Sequence, residues 1–333
     1  VGLRPELLPF VPAIVSLTIA LGYDSITGAA LFMVGTVAGF TAGFLNPFTV
    51  AVAQEIAGLP LFSGIALRIL AWLCFTGLST YFIYRYAGKI KAHPELSPVF
   101  ADDTAKDRDQ NWQQTAGVKL HHWLVLMVVL STMGLLVYAV LKWSWDIDQI
   151  AGLFLFMGIA AGFIGKLSSQ QIAEAFIHGS KQVISGALVV GLARAIMVVL
   201  VEGNISDTIL YWLANAIACL PGTLNALGMY VVQSLLNFII PSGSGQAAVT
   251  MPILSPLADL VGVTRQTAVL AFQFGDGISN SFAPTDGSLM AGLALAGIPY
   301  QKWAQWILPL LALQYLLGAI FIIIAQLINY GPY

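Results

Sequence analysis

Charge is what this sequence has least of. Of its 333 residues 9% are charged and 58% are hydrophobic, and the mean hydropathy is +0.83. Soluble domains carry about 25% charged residues. A water-soluble domain is therefore excluded, and an all-α polytopic membrane protein is expected, with the lipid bilayer as its surroundings. A net charge of −2 provides no basic surface for nucleic acid. Cysteine is nearly absent: Cys74 and Cys219 both lie in apolar runs, with neither a disulfide framework nor a metal motif around them. The four histidines fall in a polar loop or at expected membrane edges, so no metal site is expected. There is no Walker A loop, no H-E-x-x-H and no G-x-S-x-G. Pro241-Ser242-Gly243-Ser244-Gly245 has the look of a nucleophile loop, but no histidine is placed to serve as its base. Neither an enzyme nor an organic cofactor is expected.

What is present is a polar interruption in the middle of apolar sequence, residues 236–287. Pro241 and the glycines that follow it work against a continuous helix over 241–246. Apolar runs flank this tip, Leu224–Ile240 before and Ala247–Val261 after, and predict a re-entrant hairpin. The following helix, 264–296, carries Asp276 and breaks at Ser279–Gly287. Non-helical backbone at membrane depth survives only when protein or a water-filled cavity surrounds it. Two such breaks close together point to a binding site.

Along the chain, an apolar run to Gly22 is followed by a turn at Tyr23-Asp24-Ser25 and a glycine-rich helix over 26–45 that stops at Asn46-Pro47-Phe48-Thr49. Residues 62–86 are long enough to span a bilayer. Residues 87–120 form the polar segment, read as a solvated linker; with Arg85 it holds six of the fourteen basic residues, which predicts a cytoplasmic loop. Spans are expected at 121–141, 147–165, 180–201 and 303–328, with a short helix at 206–220. No basic residue follows the last span, so the C-terminus is expected outside. Trp143, Trp145, Trp303 and Trp306 read as interfacial anchors.

The sequence repeats itself. An offset of 240 pairs Pro12 with Pro252, Leu17 with Leu257, Gly22 with Gly262, Thr27 with Thr267, Phe32 with Phe272 and Gly35 with Gly275. An offset of 239 then pairs Ala57-Gly58-Leu59-Pro60 with Ala296-Gly297-Ile298-Pro299, and the breaks at 46–49 and 283–286 fall between these anchors. Corresponding Gly/Pro-interrupted segments in two halves are the sequence mark of a transporter binding site. The chain divides into the remainder of a first repeat (1–86), the linker (87–120) and a second repeat (121–333). The second repeat leads into its hairpin with about 120 residues that the first lacks, so the N-terminal part of repeat 1, the entering arm of its hairpin included, is expected upstream.

Hairpin tips and half-helix starts present unpaired N–H groups suited to a substrate carboxylate. Gly243 and Gly245 loosen the backbone at the tip, and Pro47 lies in the break at 46–49. Ser242, Ser244, Asn46, Thr49, Asn280, Ser281 and Thr285 supply neutral oxygens for a carboxylate clamp or a Na⁺ cage, the latter near Asn46, Ser242, Ser244 and Asn280. Packing and interhelical hydrogen bonding are the alternative use of such residues. An ionised carboxylate at the bilayer centre costs on the order of 2.5–3.5 kcal/mol. Asp276 therefore reads as a proton or cation site or a contact to a substrate amino group, or else as an ion-pair partner of Arg194. Arg194 suits either that pair or a substrate carboxylate. Asp286 and Glu6 are either site carboxylates or compensation of a helix dipole.

Leu21-Gly22-Tyr23-Asp24-Ser25, Asn46-Pro47-Phe48, Gly191-Leu192-Ala193-Arg194, Gly203-Asn204-Ile205 and Pro241-Ser242-Gly243-Ser244-Gly245-Gln246 resemble the YfcC/DcuC family of secondary carriers, in the ion-transporter superfamily. The resemblance covers essentially the whole chain. It departs at the first tip, where Pro5-Glu6 stands in place of two adjacent acidic residues. It implies two inverted repeats, each with a re-entrant hairpin and a broken helix, a homodimer in the bacterial inner membrane, and elevator-type motion. It also implies a substrate among C4-dicarboxylates or basic amino acids. A secondary transporter of a small carboxylate-bearing metabolite is expected, an amino acid ahead of a dicarboxylate, coupled to H⁺, Na⁺ or exchange. A channel or an intramembrane hydrolase suits the broken helices and buried acid less well.

Overall fold

The computed structural model describes residues 8, 10–109, 120–143, 147–180, 195, 198–199, 202–218, 220 and 224–331. Among them there is no strand. The expected helix 180–201 and the candidates Glu6 and Arg194 lie outside the described residues. The chain forms two compact units, residues 1–103 with 185–333, and residues 104–184.

The larger unit begins with α1 (Val11–Ala20) and α2 (Ser25–Thr41), then a wide π-type turn at Pro47–Ala51 leading into α3 (Val52–Ile56). Helix α4 (Ile65–Ala92) runs 28 residues, about 42 Å at 1.5 Å per residue, enough to cross the hydrocarbon core. It extends six residues past the expected end of the span, because Lys89 and Lys91 in its last turn favour the negative end of the helix dipole. The expected linker is not simply solvated. A 3₁₀ turn at Pro94–Leu96 leads into α5 (Phe100–Asp109), and its first half is tied to the bundle. Ser97 and Tyr86 donate to Asp24 Oδ2 at 2.6 and 2.5 Å, the Ser25 N–H donates to Asp103, and Lys302 pairs with Asp102 at 2.8 Å. Residues 87–103 thus belong to this unit rather than to a separate segment.

The smaller unit contains α6 (Leu120–Trp143), α7 (Ile147–Ile164) and the helical residues 169–180, here α8. Back in the larger unit follow α9 (Ile205–Ala218), α10 (Asn225–Leu236), α11 (Gly243–Leu260), α12 (Arg265–Ser279), α13 (Gly287–Ala296) and α14 (Tyr300–Leu327). Among the described residues, α4 and α14 are the two helices long and apolar enough to cross a membrane by themselves.

The order α1, α2, break, α3, α4 recurs as α11, α12, break, α13, α14. Gly22 and Gly262 both take positive φ at the turns before α2 and α12, and Gly58 and Gly297 do so before α4 and α14. Asp24 caps α2 through the Thr27 N–H, and Thr264 caps α12 through the Thr267 N–H. The start of α2 is bonded to Tyr86 near the end of α4, whereas Gln266 at the start of α12 donates to Ser63, just before α4 begins.

The apolar core beneath these helices is continuous from α10 through α12 to α14, with Met229, Leu270, Phe274, Ile278 and Ile322 fully buried. Trp303 and Trp306 belong to a second cluster with α2 rather than to the lipid interface. Trp303 has no exposed surface, and its indole N–H donates to Ser281 O across the break.

Candidate functional site

Both broken helices end where the hydrophobic pattern gives way to glycine and amides. α2 stops at Thr41, four residues ahead of the expected end of its run, and the chain turns through Ala42–Asn46. Pro47 then opens the next helical turn, the position where its missing N–H costs nothing. The expected break at Asn46-Pro47-Phe48-Thr49 is therefore shifted, and Pro47 and Thr49 belong to the start of the second half-helix. α12 stops at Ser279 and α13 begins at Gly287, as expected. Fifteen residues of α12 and seventeen of α2 place each break about 22–26 Å along the helix from the turn that starts it.

The hairpin turn lies four residues ahead of the expected tip, at 237–242. α10 ends at Leu236, and α11 starts at Gly243 with Ser242 as its cap, accepting from the Gly245 N–H at 3.3 Å. Residues 243–246 are helical, since a capped first turn accommodates glycine. The arms are joined by amides: Gln246 Nε2 donates to Gln233 O at 2.8 Å and Oε1 at 2.6 Å, and Gln233 Nε2 donates to Thr250 Oγ1 at 2.9 Å.

Three segments meet at the end of α12. A methyl group built on Gly243 would fall 2.6 Å from Thr49 Cγ2, 3.2 Å from the Phe40 ring and 3.3 Å from Asp276 Oδ2. One built on Gly277 would fall 2.4 Å from Thr41 Cα. Glycine at these two places is what allows the hairpin and α2 to approach α12. Asn237, in the hairpin turn, donates to Asp276 O at 3.2 Å, Ser279 Oγ at 2.7 Å and Asn280 Oδ1 at 2.8 Å. Asn46, Thr49 and Asp276 have no exposed surface, and Asn280 and Ser281 are almost as deeply buried. The hydroxyls of Thr41, Thr49 and Thr285 and the Asn237 carbonyl oxygen are buried without a hydrogen-bond partner among the described residues. Thr41, Thr49 and Asn237 thus bring buried neutral oxygens to the segment of α12 that carries Asp276, a donor set that a cation or an ammonium group uses.

Other expected residues are placed differently. Asp286 is buried and caps α13, accepting from the Leu289 N–H at 2.6 Å, which is the dipole-compensating reading of that residue. The Ser281 hydroxyl donates to Ile278 O at 2.7 Å and is spent on the helix end. Ser242 and Ser244 are exposed, so the four residues expected to hold Na⁺ divide into two buried and two exposed. Among the described residues no cluster of three or more His, Cys, Asp or Glu exists.

The sequence reading missed Arg68. It lies one turn into α4, fully buried, and donates to Gln273 Oε1 and, at 3.4 Å, to Gln266 Oε1. Among the described residues no carboxylate is within ion-pair distance of it, and its Nε has no partner. Gln273 turns its amide nitrogen to Gly43 O at 3.0 Å, so the guanidinium and the first break are linked through one side chain. Gln54 donates to Gln266 Oε1 at 3.0 Å and to Ser63 O at 2.9 Å, extending the network to α3. The available signal was an arginine and several glutamines inside apolar runs, each of which must find a partner when buried.

A family model described as DcuC, C4-dicarboxylate anaerobic carrier, matches residues 1–327. This chain belongs to that family. Over 340 residues it is 38% identical to YfcC of Escherichia coli (strain K12), whose name proposes a basic amino acid antiporter; the match covers 99% of this chain and 67% of that protein. It is 32% identical over 328 residues to an uncharacterised protein of Haemophilus influenzae (strain ATCC 51907 / DSM 11121 / KW20 / Rd), covering 97% of this chain and 64% of the relative. A weaker likeness, with a TM-score of 0.49 and 17% identity, covers 99% of this chain and 77% of the YdaH transporter of Alcanivorax borkumensis. The chain spans about two thirds of the length of these two curated relatives. It is a helical membrane protein of a carrier family, and the family description and the Escherichia coli relative are named for transport.

Proposed function

We propose that the protein is a secondary active transporter that binds a small carboxylate-bearing metabolite at the meeting point of the hairpin turn and the two breaks. The observation that carries this reading is the convergence of Gly243 at the start of α11, Thr49 after the first break and Asp276 before the second, with Thr49 and Asp276 fully buried. Interrupted helices leave N–H groups at their starts, which hold a carboxylate, and Asp276 holds an amino group or a proton. An amino acid is the substrate class that uses both, and exchange of a basic amino acid is the preferred form. The opposed directions of α2 and α12 along α4 support two inverted repeats, with the α10–α11 hairpin as the re-entrant element. Elevator-type alternating access, a homodimer in the inner membrane, a cytoplasmic segment around 87–120, an external C-terminus, and H⁺ or Na⁺ as coupling ion complete the proposal.

The second reading is a C4-dicarboxylate carrier, which the family description and the buried Arg68 both favour. Arg68 is a buried guanidinium linked through Gln273 to the first break, which suits an anionic substrate. Counterflow in proteoliposomes of the full-length protein separates the two. Labelled arginine entering against internal arginine or ornithine supports the first reading. Labelled succinate entering, with arginine inert, replaces it by the second. Inertness of both classes rejects both.

A further inference from the structure

The two long helices hold the two breaks from the same place. Trp303 is the fourth residue of α14 and Arg68 the fourth of α4, and neither has any exposed surface. Trp303 donates its indole N–H to Ser281 O in the second break at 3.0 Å. Arg68 does the equivalent through one intermediary. It donates to Gln273 Oε1, and Gln273 Nε2 donates to Gly43 O in the first break at 3.0 Å. A neutral indole therefore suffices to hold a break, and the charge of Arg68 is an addition to that task. Its surroundings leave the charge in place. The acceptors of the guanidinium among the described residues are the amide oxygens of Gln273 and Gln266, and the Tyr330 hydroxyl beside it is neutral as well. A buried cation is costly unless an anion meets it, and inside a membrane helix it calls for a functional counter-charge. Gln273 lies three residues before Asp276 on α12, so the two share one side of that helix.

We infer that Arg68 is the residue that selects for a carboxylate: its charge, held behind Gln273, makes the first break the end of the site where the carboxylate of the substrate rests. Asp276, one turn farther along α12, faces the opposite end of the ligand. Arg68 is a positioning residue and does not touch the substrate, because Gln273 stands between it and the break. Its field reaches the break because a buried charge is weakly screened. The inference rests on the carrier reading above and adds to it which end of the ligand goes where. A ligand with a carboxylate at one end and an ammonium group at the other matches both charges, whereas a dicarboxylate matches the first alone.

Gln266→Glu tests this. Gln266 Oε1 already accepts from Arg68, so the substitution sets a carboxylate against the guanidinium at nearly constant size, two turns of α12 away from Gln273. The full-length protein in detergent is titrated calorimetrically with two pairs of ligands: arginine and its decarboxylated analogue agmatine, succinate and its neutral diamide. Gln266→Glu is expected to keep its Tm and to lose at least tenfold in affinity for the carboxylate-bearing member, with the affinity for the other member unchanged or higher. Arg68→Gln removes the charge outright and is expected to show the same selective loss. Trp303→Phe removes the neutral donor at the other break and is expected to leave the ratio of the two affinities unchanged. Equal losses for both members of a pair, or full carboxylate affinity in Gln266→Glu, would overturn the inference and leave the carrier reading standing. A fall of several degrees in the Tm of Gln266→Glu would mean that the charge is already met, and would also overturn it. A wild type that binds neither arginine nor succinate would reject the carrier reading and this inference with it.

Discussion

Asp276 sits where the hairpin turn, the first break and the end of α12 meet, with no exposed surface. Its position within an apolar helix made it visible in the sequence, because a carboxylate in that setting needs a reason. Asp276→Asn keeps the shape and removes the charge. The expected outcome is a correctly folded protein with at least tenfold weaker ligand affinity, about 1.4 kcal/mol, measured by isothermal titration. Unchanged affinity would remove Asp276 from the site. Arg68 was not legible in the sequence because α4 is unbroken and its partners Gln266 and Gln273 lie about 200 residues away. Arg68→Leu is expected to destabilise by about 1–3 kcal/mol by leaving Gln273 and Gln266 without their charged donor, read as loss of thermal stability. Asn237 was also missed: one asparagine in a turn carries no signal until its three partners are assembled by the fold.

At the scale of elements, spans and breaks were largely legible, because length and hydropathy set the first and Gly/Pro content the second. Observed α6, α7 and α14 fall within a few residues of their expected bounds. The errors have physical causes. Helix α4 was cut short because its last turns are charged, although lysine there suits the helix end. The linker was read as solvated because the partners of Ser97, Asp102 and Asp103 are between 73 and 200 residues away in sequence. Close helix crossings give a sharper prediction. Gly277→Ala must push a methyl against Thr41 Cα, backbone that cannot rotate away, and is expected to cost about 1–3 kcal/mol in overpacking. Gly77→Ala, in the interior of α4 with none of the described residues within 4 Å, is expected to stabilise by about 0.5–1 kcal/mol through helix propensity. Equal effects of the two in thermal unfolding would refute the crossing argument. For α13, Asp286→Asn preserves the cap and is expected to leave transport intact, whereas Asp286→Ala should cost about 0.5–2 kcal/mol. Loss of transport in Asp286→Asn at full stability would give that carboxylate a role in the site.

For the whole molecule, the repeat was legible as an ordered set of anchors, and the positive-φ glycines and helix caps fall on those anchors. Sequence offsets carry no orientation, and the contacts of Asp24 with Tyr86 and of Gln266 with Ser63 become visible only in the fold. The central claim is that this arrangement binds a carboxylate-bearing metabolite through Asp276. The most direct measurement is the thermal stability of the full-length protein in detergent against basic amino acids and C4-dicarboxylates, with and without Na⁺, for wild type and Asp276→Asn. A ligand at a hundred times its Kd stabilises the folded state by about 2.7 kcal/mol. The expected result is an upward shift of Tm with one of the two classes in the wild type and its loss in Asp276→Asn. A shift that persists unchanged in Asp276→Asn, or no shift with any member of either class, would contradict the claim.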